Sequence, residues 1–478
     1  MFAMVASVGW AATVEVSPGD DVEAAIAALA PGDELVIHGG EYPLQSDRFT
    51  VDVAGTATAP IVIRAADGEV PHFHRPNQDQ NIWDVDRAEH VTLRGIEWSG
   101  GSAGIRLSAA TDLTIEDCLI HDTGDVALRA NDEGVTYDGL HIVHNEIRDT
   151  DGTGEGMYLG CNEDGCRLAN SVIERNWVHH TNGPGVEQGD GIELKEGSHD
   201  VVIRDNVVHD TNYPCIITYS TRGNGGPNVI EGNVMWGCGD HGIQSAADAV
   251  IQNNIILGSA SDGIAMQPHQ SGSPSGLVVV HNTVLHATND AISLRGVVGD
   301  VTIANNALYA QAGTALNVVS GDLSQVVAQG NVGVGGSTGG GLVDGDLAAD
   351  FVDAHYDNAP PIDVFPAVGS ALIGAGDGSW VAIDFNGTPR DPTREDAGAY
   401  TFDAPGNPGW TIVAGFKDLV EPGTTTTDGD ADTDSDADSD TDSDADTDSD
   451  ADADTVPTDG DADPGSDGGG CGCAQPGA

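Results

Sequence analysis

The chain has 478 residues, and 77 acidic against 17 basic residues give it a formal net charge of −60. Such an excess of negative charge excludes nucleic acid and anionic lipid surfaces as partners, because both would be repelled. After the first twelve residues, no apolar run is long enough to cross a bilayer, so the sequence predicts no membrane span.

Residues 1–12 form an apolar stretch with small residues at Gly9 and Ala11. A short apolar run that ends in a small-x-small site is typical of a signal peptide, here without its basic start, and it predicts export from the cell. The alternative interpretation is a β-strand that leads into the folded body.

Residues 13–84 are predicted to form an N-terminal cap followed by the first strands. The residues DDVE at 20–23 predict a capping box in front of AAIAALA, a short amphipathic helix that ends at Pro31-Gly32. We expect this helix to cover the open end of a stack of strands, which otherwise exposes unpaired edge groups.

Residues 85–335 repeat a pattern in which a short β-branched run is followed by asparagine. The pattern occurs in eight successive blocks, at Asn145, Asn176, Asn206, Asn233, Asn254, Asn282, Asn306 and Asn331. These positions are 21 to 31 residues apart, a period that predicts a solenoid with one coil per block. Most blocks carry a second short strand, such as GIRL, DVAL, GMYL or GIEL, and helical periodicity is almost absent. Equivalent asparagines in stacked coils would lie about 4.8 Å apart, so we expect their amides to hydrogen-bond along one column.

These repeats resemble those of the right-handed parallel β-helix proteins, which include pectate, alginate and chondroitin lyases, polygalacturonases, uronan epimerases and non-enzymatic adhesins. The resemblance implies an all-β fold, a right-handed parallel β-helix solenoid, and the residue patterns at the two ends add a short N-terminal capping helix and a disordered acidic C-terminal tail. Because enzymes and binding proteins share this fold, function has to be argued from the site.

Two further segments follow the repeats. Residues 336–420, with DFNGTPRDP and EDAGAYTF, resemble the closing segment of bacterial exported β-helix proteins and are expected to cover the other end of the solenoid. In residues 421–478, aspartate occupies every second position from Asp428 to Asp454, which predicts a disordered stalk because the charges repel and little apolar surface is available. The end, GGGCGCAQPGA, resembles the Cys-Gly-Cys core of myxobacterial surface-sorting tags.

Four of the seven cysteines lie close enough in sequence to consider disulfides. Cys161 and Cys166 could close a small loop or remain two free thiols. Cys215 and Cys238 are about one coil apart, but they are out of register relative to the following isoleucines. We therefore expect no bond between them.

The second strand of each block presents a candidate binding face. In Gly-Ile-x-Leu the two apolar residues point inward, so x and the residue two positions later face outward. Polar and aromatic residues concentrate in the middle coils of this face. The candidate substrate-binding residues are Arg129, Tyr158, Tyr219 and Gln244.

Lys195 is one of only two lysines in the chain. Its segment, GDGIELKEG, resembles a coil strand of chondroitinase B-like and alginate lyases, in which a lysine acts as the base and a nearby arginine assists. The resemblance implies catalytic roles for Lys195, Glu193 and an arginine, either Arg222 or Arg204. Glu193 on the same face should raise the pKa of the lysine, whereas a base needs that pKa lowered. The alternative interpretation is therefore an ordinary surface ion pair.

A column of acidic residues stands before these strands, at Asp125, Glu155, Asp190, Asp262 and Asp290. Such carboxylates could act as a glycosidase acid and base, bind calcium, or hydrogen-bond the turns of their own coils. A calcium ion held by Glu155, Asp190 or Glu193 would reverse the unfavourable effect of Glu193 on the lysine.

His121, His179 and His209 recur in register, in the turn sequences HDT, HHT and HDT. Repetition at one position of the coil favours a role in the turn. The alternative is a metal site formed by His179, His180 and His209.

The sequence as a whole predicts a monomeric, secreted or cell-surface protein that handles a polysaccharide. The leading hypothesis is a calcium-assisted polysaccharide lyase that acts on a uronate-containing glycan. The alternative is a non-catalytic adhesin or carbohydrate-binding stalk protein. Without the 18 aspartates of the tail the net charge is still −42, so a uronate polymer would need a bridging cation.

Overall fold

The computed structural model describes residues 11–45 and 47–418 of the chain. The predicted signal peptide lies outside the described residues except for Ala11 and Ala12. The predicted acidic stalk and the Cys-Gly-Cys end lie outside them as well. Within the described part, the two α-helices, Val22–Ala27 and Leu347–Asp350, are short, and no helix there has the length and apolar character to cross a membrane.

The repeats form the coils of a parallel β-helix, in which each strand pairs with the equivalent strand of the next coil. Three ladders of parallel strands result. The first ladder holds the Gly-Ile-x-Leu strands and their equivalents: Thr50–Ala54, Ile105–Leu107, Leu128–Ala130, Met157–Leu159, Ile192–Leu194, Ile216–Thr218, Ile243–Ser245, Ile264–Met266, Ile292–Leu294 and Leu316–Val318.

The second ladder holds the β-branched runs and the third holds the strands that follow the asparagine corner. The second comprises Thr13–Val16, Glu34–Ile37, Ile61–Ala65, Ala110–Glu116, His141–Val143, Val172–Glu174, Val202–Arg204, Asn228–Glu231, Ala249–Gln252, Leu277–Val280, Val301–Ala304 and Val326–Gln329. The third comprises Gly40–Pro43, Pro71–Arg75, Glu97–Gly100, Leu119–Thr123, Glu146–Thr150, Trp177–Thr181, Val207–Thr211, Val234–Cys238, Ile255–Ile256, Thr283–His286, Ala307–Ala310, Asn331–Val334 and Leu342–Asp344.

The long strand Trp83–Arg94 pairs in both the first and the second ladder, which joins these two into one sheet. A few elements lie outside the three ladders. They are the antiparallel pair Phe351–Asp353 and Asp363–Pro366, and the 3-10 turns Asn162–Asp164 and Leu323–Gln325. The short strands Thr136–Asp138 and Arg167–Ala169 pair with each other and join the second ladder through the pairing of Thr111 with Asp138.

The asparagine column is confirmed, and it lies at the corner between the second and third ladders. The backbone N–H and the Nδ2 of Asn145 both donate to Asn176 Oδ1, at 3.0 Å. The same pair of bonds repeats at each step to Asn331, and all eight side chains are fully buried. Cys118 takes the equivalent position one coil earlier, where its N–H donates to Asn145 Oδ1.

The hydrophobic core fills the inside of the coils, as the two-residue alternation predicts. The first residue of each Gly-Ile-x-Leu strand is inaccessible to solvent, for example Ile105, Met157, Ile192 and Ile243. The parallel β-helix and the inward direction of its apolar side chains therefore follow from the repeat pattern.

The N-terminal helix is shorter than predicted and is capped one residue later. Asp21 is the N-cap, and its Oδ1 accepts from Ala24 N at 2.9 Å. Glu23 does not close a capping box; its Oε1 accepts from Thr50 N at 2.8 Å. This bond connects the helix to the strand Thr50–Ala54.

In the segment expected to cover the far end of the solenoid, the strand Leu342–Asp344 extends the third ladder, and the later residues pack along the outside of that ladder. Outward-facing residues of the later coils, such as Val234, Ile255 and Leu285, form one apolar cluster with Phe365 and Tyr400 of this segment. The physical reason is the apolar outer face of these coils, which would otherwise meet water.

Both cysteine pairs form disulfides, Cys161–Cys166 and Cys215–Cys238. The expectation of no bond in the second pair was wrong. Cys238 ends a third-ladder strand directly beside Thr211, and Cys215 lies in the turn that follows Thr211, so the two Cα atoms are 5.3 Å apart. The bond therefore joins two coils across a corner.

Candidate functional site

A cleft of about 330 Å³ lies on the outer face of the first ladder. Five of the predicted binding or catalytic residues line it, and they come from successive coils: Tyr158, Glu193, Lys195, Tyr219 and Gln244. Register explains the grouping, because Tyr158 pairs with Glu193, and Ile217 of the next strand pairs with both Glu193 and Gln244.

Lys195 is held tightly within this cleft. Its Nζ lies 2.5 Å from Glu193 Oε1, 4.6 Å from the centre of the Tyr158 ring and 5.1 Å from that of Tyr219. The Tyr219 hydroxyl donates to the same Glu193 oxygen at 2.9 Å. The lysine side chain is only 6% exposed and that of Glu193 only 3%, so this is a buried pair and not the surface ion pair that the alternative interpretation assumed.

Electrostatics favour the charged form of the lysine in the metal-free protein. Burial opposes the charge, but the neighbouring Glu193 carboxylate and Tyr158 outweigh it, and the pKa of Lys195 is raised. Burial and the Glu193 carboxylate also raise the pKa of the Tyr219 hydroxyl. That hydroxyl therefore remains a hydrogen-bond donor.

Glu155, Asp190 and Glu193 form a buried carboxylate cluster beside the lysine. One oxygen from each lies within 4.8 Å of the others, and the three residues are 0 to 2% exposed. Both oxygens of Glu155, Asp190 Oδ1 and Glu193 Oε2 have no hydrogen-bond partner among the described residues. Burial and the neighbouring carboxylates raise the pKa of Asp190 well above its usual range, and burial raises the pKa of Glu155.

Glycine allows these acidic residues to sit next to the strands. Glu155 and Asp190 each lie between two glycines, in GEG and GDG. A Cβ at Gly191 would come within 2.5 Å of the Cys215 carbonyl oxygen. Only glycine therefore lets the coil of Asp190 stack this closely on the next one.

Four residues of the acidic column divide into two groups with different surroundings, and the fifth, Asp262, lies 3.8 Å from Arg295 Nη2. Asp125 accepts from the Thr153 hydroxyl at 2.7 Å, and Asp290 accepts from Thr314 N at 2.8 Å. These two carboxylates hydrogen-bond to turns, as the third interpretation predicts, but the turns belong to the adjacent coil and not to their own. Glu155 and Asp190 do not, and their bare oxygens fit a hard cation such as calcium, which prefers several carboxylate ligands.

The predicted arginines lie outside the cleft lining. Arg129 faces outward in line with Tyr158; its strand begins at Leu128, two residues later than DVAL predicts. Arg129 donates to Asn131 and pairs with Asp125 at 3.5 Å.

The candidate catalytic arginines have other partners. Arg222 contacts the buried Glu196 at 3.4 Å and donates to Ser271. Arg204 donates to Glu174 at 2.6 Å, on the second ladder. Neither contact includes Lys195 or Glu193.

Several residues that line the cleft were not identified from the sequence, among them Asn162, His269 and Gln270. His269 stacks on Tyr219 with ring centres 5.1 Å apart, and Gln270 Nε2 donates to Asn162 Oδ1 at 3.1 Å. The contact joins the Cys161–Cys166 loop to a turn 108 residues away. No local sequence pattern predicts this contact, because it depends on how two loops that are distant in the sequence fold over the same face.

The turn histidines have contacts within the protein, and the three residues there that lie close enough to hold a metal ion are His180, His209 and Asp210, without the predicted His179. His209 Nε2 accepts from Trp177 Nε1 at 2.9 Å, and its Nδ1 lies 2.7 Å from Asp210 Oδ2. Both ring nitrogens are therefore used within the protein. His179, His209 and Trp236 form a stack of rings, with centres 5.1 and 4.4 Å apart, so the repeated turn position serves packing.

The chain matches the family described as "right handed beta helix region" over residues 73–224 and 187–308. The fold is a right-handed parallel β-helix. Pectate lyase PEL9 of Emericella nidulans is 23% identical over 302 residues, which cover 56% of this chain and 68% of that protein.

Two solved structures show the same architecture. Pectate lyase Pel9A has a TM-score of 0.50 at 15% identity, covering 83% of this chain and 98% of that one. XylC in complex with xylose has a TM-score of 0.54 at 11% identity, covering 85% and 99%. These similarities establish a polysaccharide lyase-like fold.

Proposed function

We propose that the Lys195 cleft is the active site of a calcium-assisted polysaccharide lyase that acts on a uronate-containing glycan. One observation carries the proposal: the buried Glu155, Asp190 and Glu193 carboxylates, with bare oxygens, lie directly beside the only lysine on this face. A lone carboxylate cluster would indicate cation binding, and a lone lysine would indicate anion binding. Their juxtaposition is what the elimination chemistry of a uronate requires.

In that reaction a base removes the C5 proton of the uronate, the C4–O bond breaks, and a C4–C5 double bond forms. The base keeps the C5 proton, and the departing oxygen takes a proton from solvent water and becomes a hydroxyl. Lys195 is the candidate base, because its amine faces the cleft and is oriented by Glu193 and flanked by two tyrosine rings. Tyr219, held as a donor, keeps Glu193 in place.

The three carboxylates would hold the ion. Such an ion, when bound, would supply positive charge that favours the negatively charged form of the uronate after loss of its C5 proton. Glu193 would then share its charge between Lys195 and the ion, which lowers the pKa of Lys195 toward the range of a useful base. Gln244 and Tyr158 offer polar and aromatic contacts to the sugar rings.

Export is part of the proposal. Two disulfides, at Cys161–Cys166 and Cys215–Cys238, are typical of proteins that mature in an oxidising compartment. Polymeric glycans are found outside the cell, so a secreted or surface location agrees with the substrate class. We expect the protein to act as a monomer.

A second candidate function is supported by the raised pKa of Lys195. A lysine that stays charged binds an anionic sugar but cannot accept a proton. The protein would then be a carbohydrate-binding surface protein without catalytic activity.

The decisive experiment incubates the full chain with a panel of uronate-containing and neutral glycans in the presence of calcium. A lyase product absorbs in the ultraviolet because of its new double bond, whereas hydrolysis produces only reducing ends. Calcium-dependent absorbance with at least one uronate polymer is the expected result. Binding to these polymers without absorbance would overturn the enzyme proposal in favour of the binding protein.

A further inference from the structure

A second cluster of chemically active side chains lies on the third ladder, away from the Lys195 cleft on the first. It contains His72, Glu97, Ser99 and His121, from three successive coils. His72 pairs with Glu97, and Ser99 pairs with His121 in the strand register. All four side chains therefore share one small area of the outer face.

Two imidazole nitrogens converge on one carboxylate oxygen in this cluster. His121 Nε2 lies 3.1 Å from Glu97 Oε1, and His72 Nε2 lies 3.7 Å from the same atom. The side chains are 11%, 22% and 24% exposed for His121, His72 and Glu97. The group is thus partly shielded but can be reached from solvent.

The opposite nitrogen of each ring faces a further carboxylate. His121 Nδ1 is 2.6 Å from Asp122 Oδ2, and His72 Nδ1 is 3.1 Å from Glu41 Oε2. A carboxylate at Nδ1 favours the tautomer with its proton there, which leaves the Nε2 lone pair directed toward Glu97. A lone pair and a carboxylate repel each other at this distance unless a positive ion or a proton lies between them.

We propose that His72, Glu97 and His121 bind a divalent transition-metal ion of the zinc class. Two imidazoles and one carboxylate form a ligand set that zinc accepts, with a fourth position left for water. Carboxylates that orient the ligating histidines from behind are a regular feature of such sites. The nitrogen ligands disfavour calcium, which prefers oxygen.

In the metal-free protein the Ser99 hydroxyl, 2.7 Å from His72 Nε2, satisfies that nitrogen. The bound ion would replace this contact and join the strands Pro71–Arg75, Glu97–Gly100 and Leu119–Thr123. We therefore expect the metal ion to connect three coils near the N-terminal end and to stabilise their packing.

A second group of possible metal ligands lies next to this one and consists of Glu41, His72 and His74. Glu41 Oε2 lies 3.1 Å from the Nδ1 atoms of both His72 and His74. The Glu41 side chain is 68% exposed, so these ligands would be held less firmly. The two sets share His72, and a variant of His74 distinguishes them.

The test is calorimetric titration of the full chain with zinc chloride, in excess calcium to occupy the oxygen-only sites and after alkylation of accessible thiols. The wild type should bind one more zinc ion than His121→Gln, while the matched control His74→Gln should bind as the wild type does. Asp122→Asn should keep the stoichiometry but weaken the affinity about 10- to 100-fold. Zinc should also raise the melting temperature of the wild type and of His74→Gln, but not of His121→Gln.

Equal zinc stoichiometry in the wild type and in a folded His121→Gln would overturn the proposal. Loss of the zinc ion in His74→Gln would do the same and move the site to Glu41. If circular dichroism shows that His121→Gln is unfolded, Glu97→Gln replaces it with the same two outcomes. Cobalt provides a second readout, since visible bands of a nitrogen-ligated ion should be present in the wild type and missing in the site variant.

Discussion

Lys195 Nζ lies 2.5 Å from Glu193 Oε1, while the other oxygen of Glu193 has no hydrogen-bond partner among the described residues and belongs to the carboxylate cluster. A single side chain thus connects the candidate base to the candidate cation site. Occupancy of the cluster should therefore change the charge that Lys195 experiences, and the proposed calcium dependence rests on this connection.

Replacing Lys195 by alanine should abolish turnover and leave glycan binding nearly intact. Loss of a base acts mainly on the transition state, so we expect a fall of about 10²- to 10⁴-fold in kcat. Turnover is followed by ultraviolet absorbance and binding by calorimetry. Arg106→Ala, on the same face but outside the cleft, is the control and should retain activity. A kcat of Lys195→Ala equal to that of this control would remove Lys195 from the mechanism.

Calcium should stabilise the protein through the buried carboxylates. At a hundred times the Kd, one bound ion contributes about 2.7 kcal/mol to the free energy of unfolding, so a chelator should lower the melting temperature of the wild type. Glu155→Gln should lose this response, and its metal-free form should melt higher than the metal-free wild type because one buried repulsion is gone. Asp125→Asn, from the turn-binding group of the column, should respond to calcium normally. A chelator without effect on the wild type would contradict the cation site.

Much of the architecture could be predicted because the signals are local and repeat in every coil. The asparagine at each corner and the inward isoleucine of each short strand recur at the same positions of the repeat. The structure of one coil therefore predicts that of all eight. Lys195 and Glu193 could be placed together for a similar reason, because residues two positions apart on a strand point to the same face.

The features that were missed depend on contacts between distant segments. His269 reaches the cleft because its turn folds back over the first ladder, and Cys238 meets Cys215 across a corner whose shape the sequence does not encode in a simple pattern. The closing segment follows the apolar outer residues of the later coils, such as Val234 and Leu285. The sequence shows that these outer residues are apolar, but it does not predict which segment of the chain covers them.

The asparagine column should make a measurable contribution to stability. Asn206→Ala removes the donor to Ile173 O and the acceptor for Asn176 N, and both partners are buried. We expect a loss of about 1 to 3 kcal/mol in the free energy of unfolding. Thr302→Ala, on the outer side of the second ladder, is the control and should change it by only a few tenths of that amount. Equal effects in the two variants would show that the column is not a special source of stability.

Acid should weaken the second ladder through Glu174. Its carboxylate contacts His141 Nε2 at 2.8 Å and Arg204 Nε at 2.6 Å, and these partners lower its pKa from 4.5 to about 2 despite burial. A carboxyl with a lowered folded-state pKa stabilises the protein above the unfolded value, and that stability is lost as the pH falls from about 4.5 toward 2. Relative to Glu174→Gln, the wild type should be more stable by on the order of 3 kcal/mol at pH 7, and the difference should shrink across this acidic interval. A difference that is independent of pH would contradict the assignment.

The second lysine of the chain, Lys417, should attach the closing segment to the solenoid. It is fully buried, and its Nζ donates to Asp205 Oδ1 at 2.6 Å, to Gly232 O at 2.8 Å and to Phe385 O at 2.9 Å. Burial lowers the pKa of this amine, and the charge of Asp205 opposes that change. Lys417→Met keeps most of the volume but leaves a carboxylate and two carbonyls without their donor. We therefore expect a loss of about 3 to 5 kcal/mol in the free energy of unfolding.

Limited proteolysis of Lys417→Met should cut residues 336–418 first, while the circular dichroism of the strands persists. Arg394→Met, an exposed cation in the same segment, should leave the proteolysis pattern unchanged. If Lys417→Met resists proteolysis as the wild type does, apolar packing against the third ladder is sufficient to hold the segment.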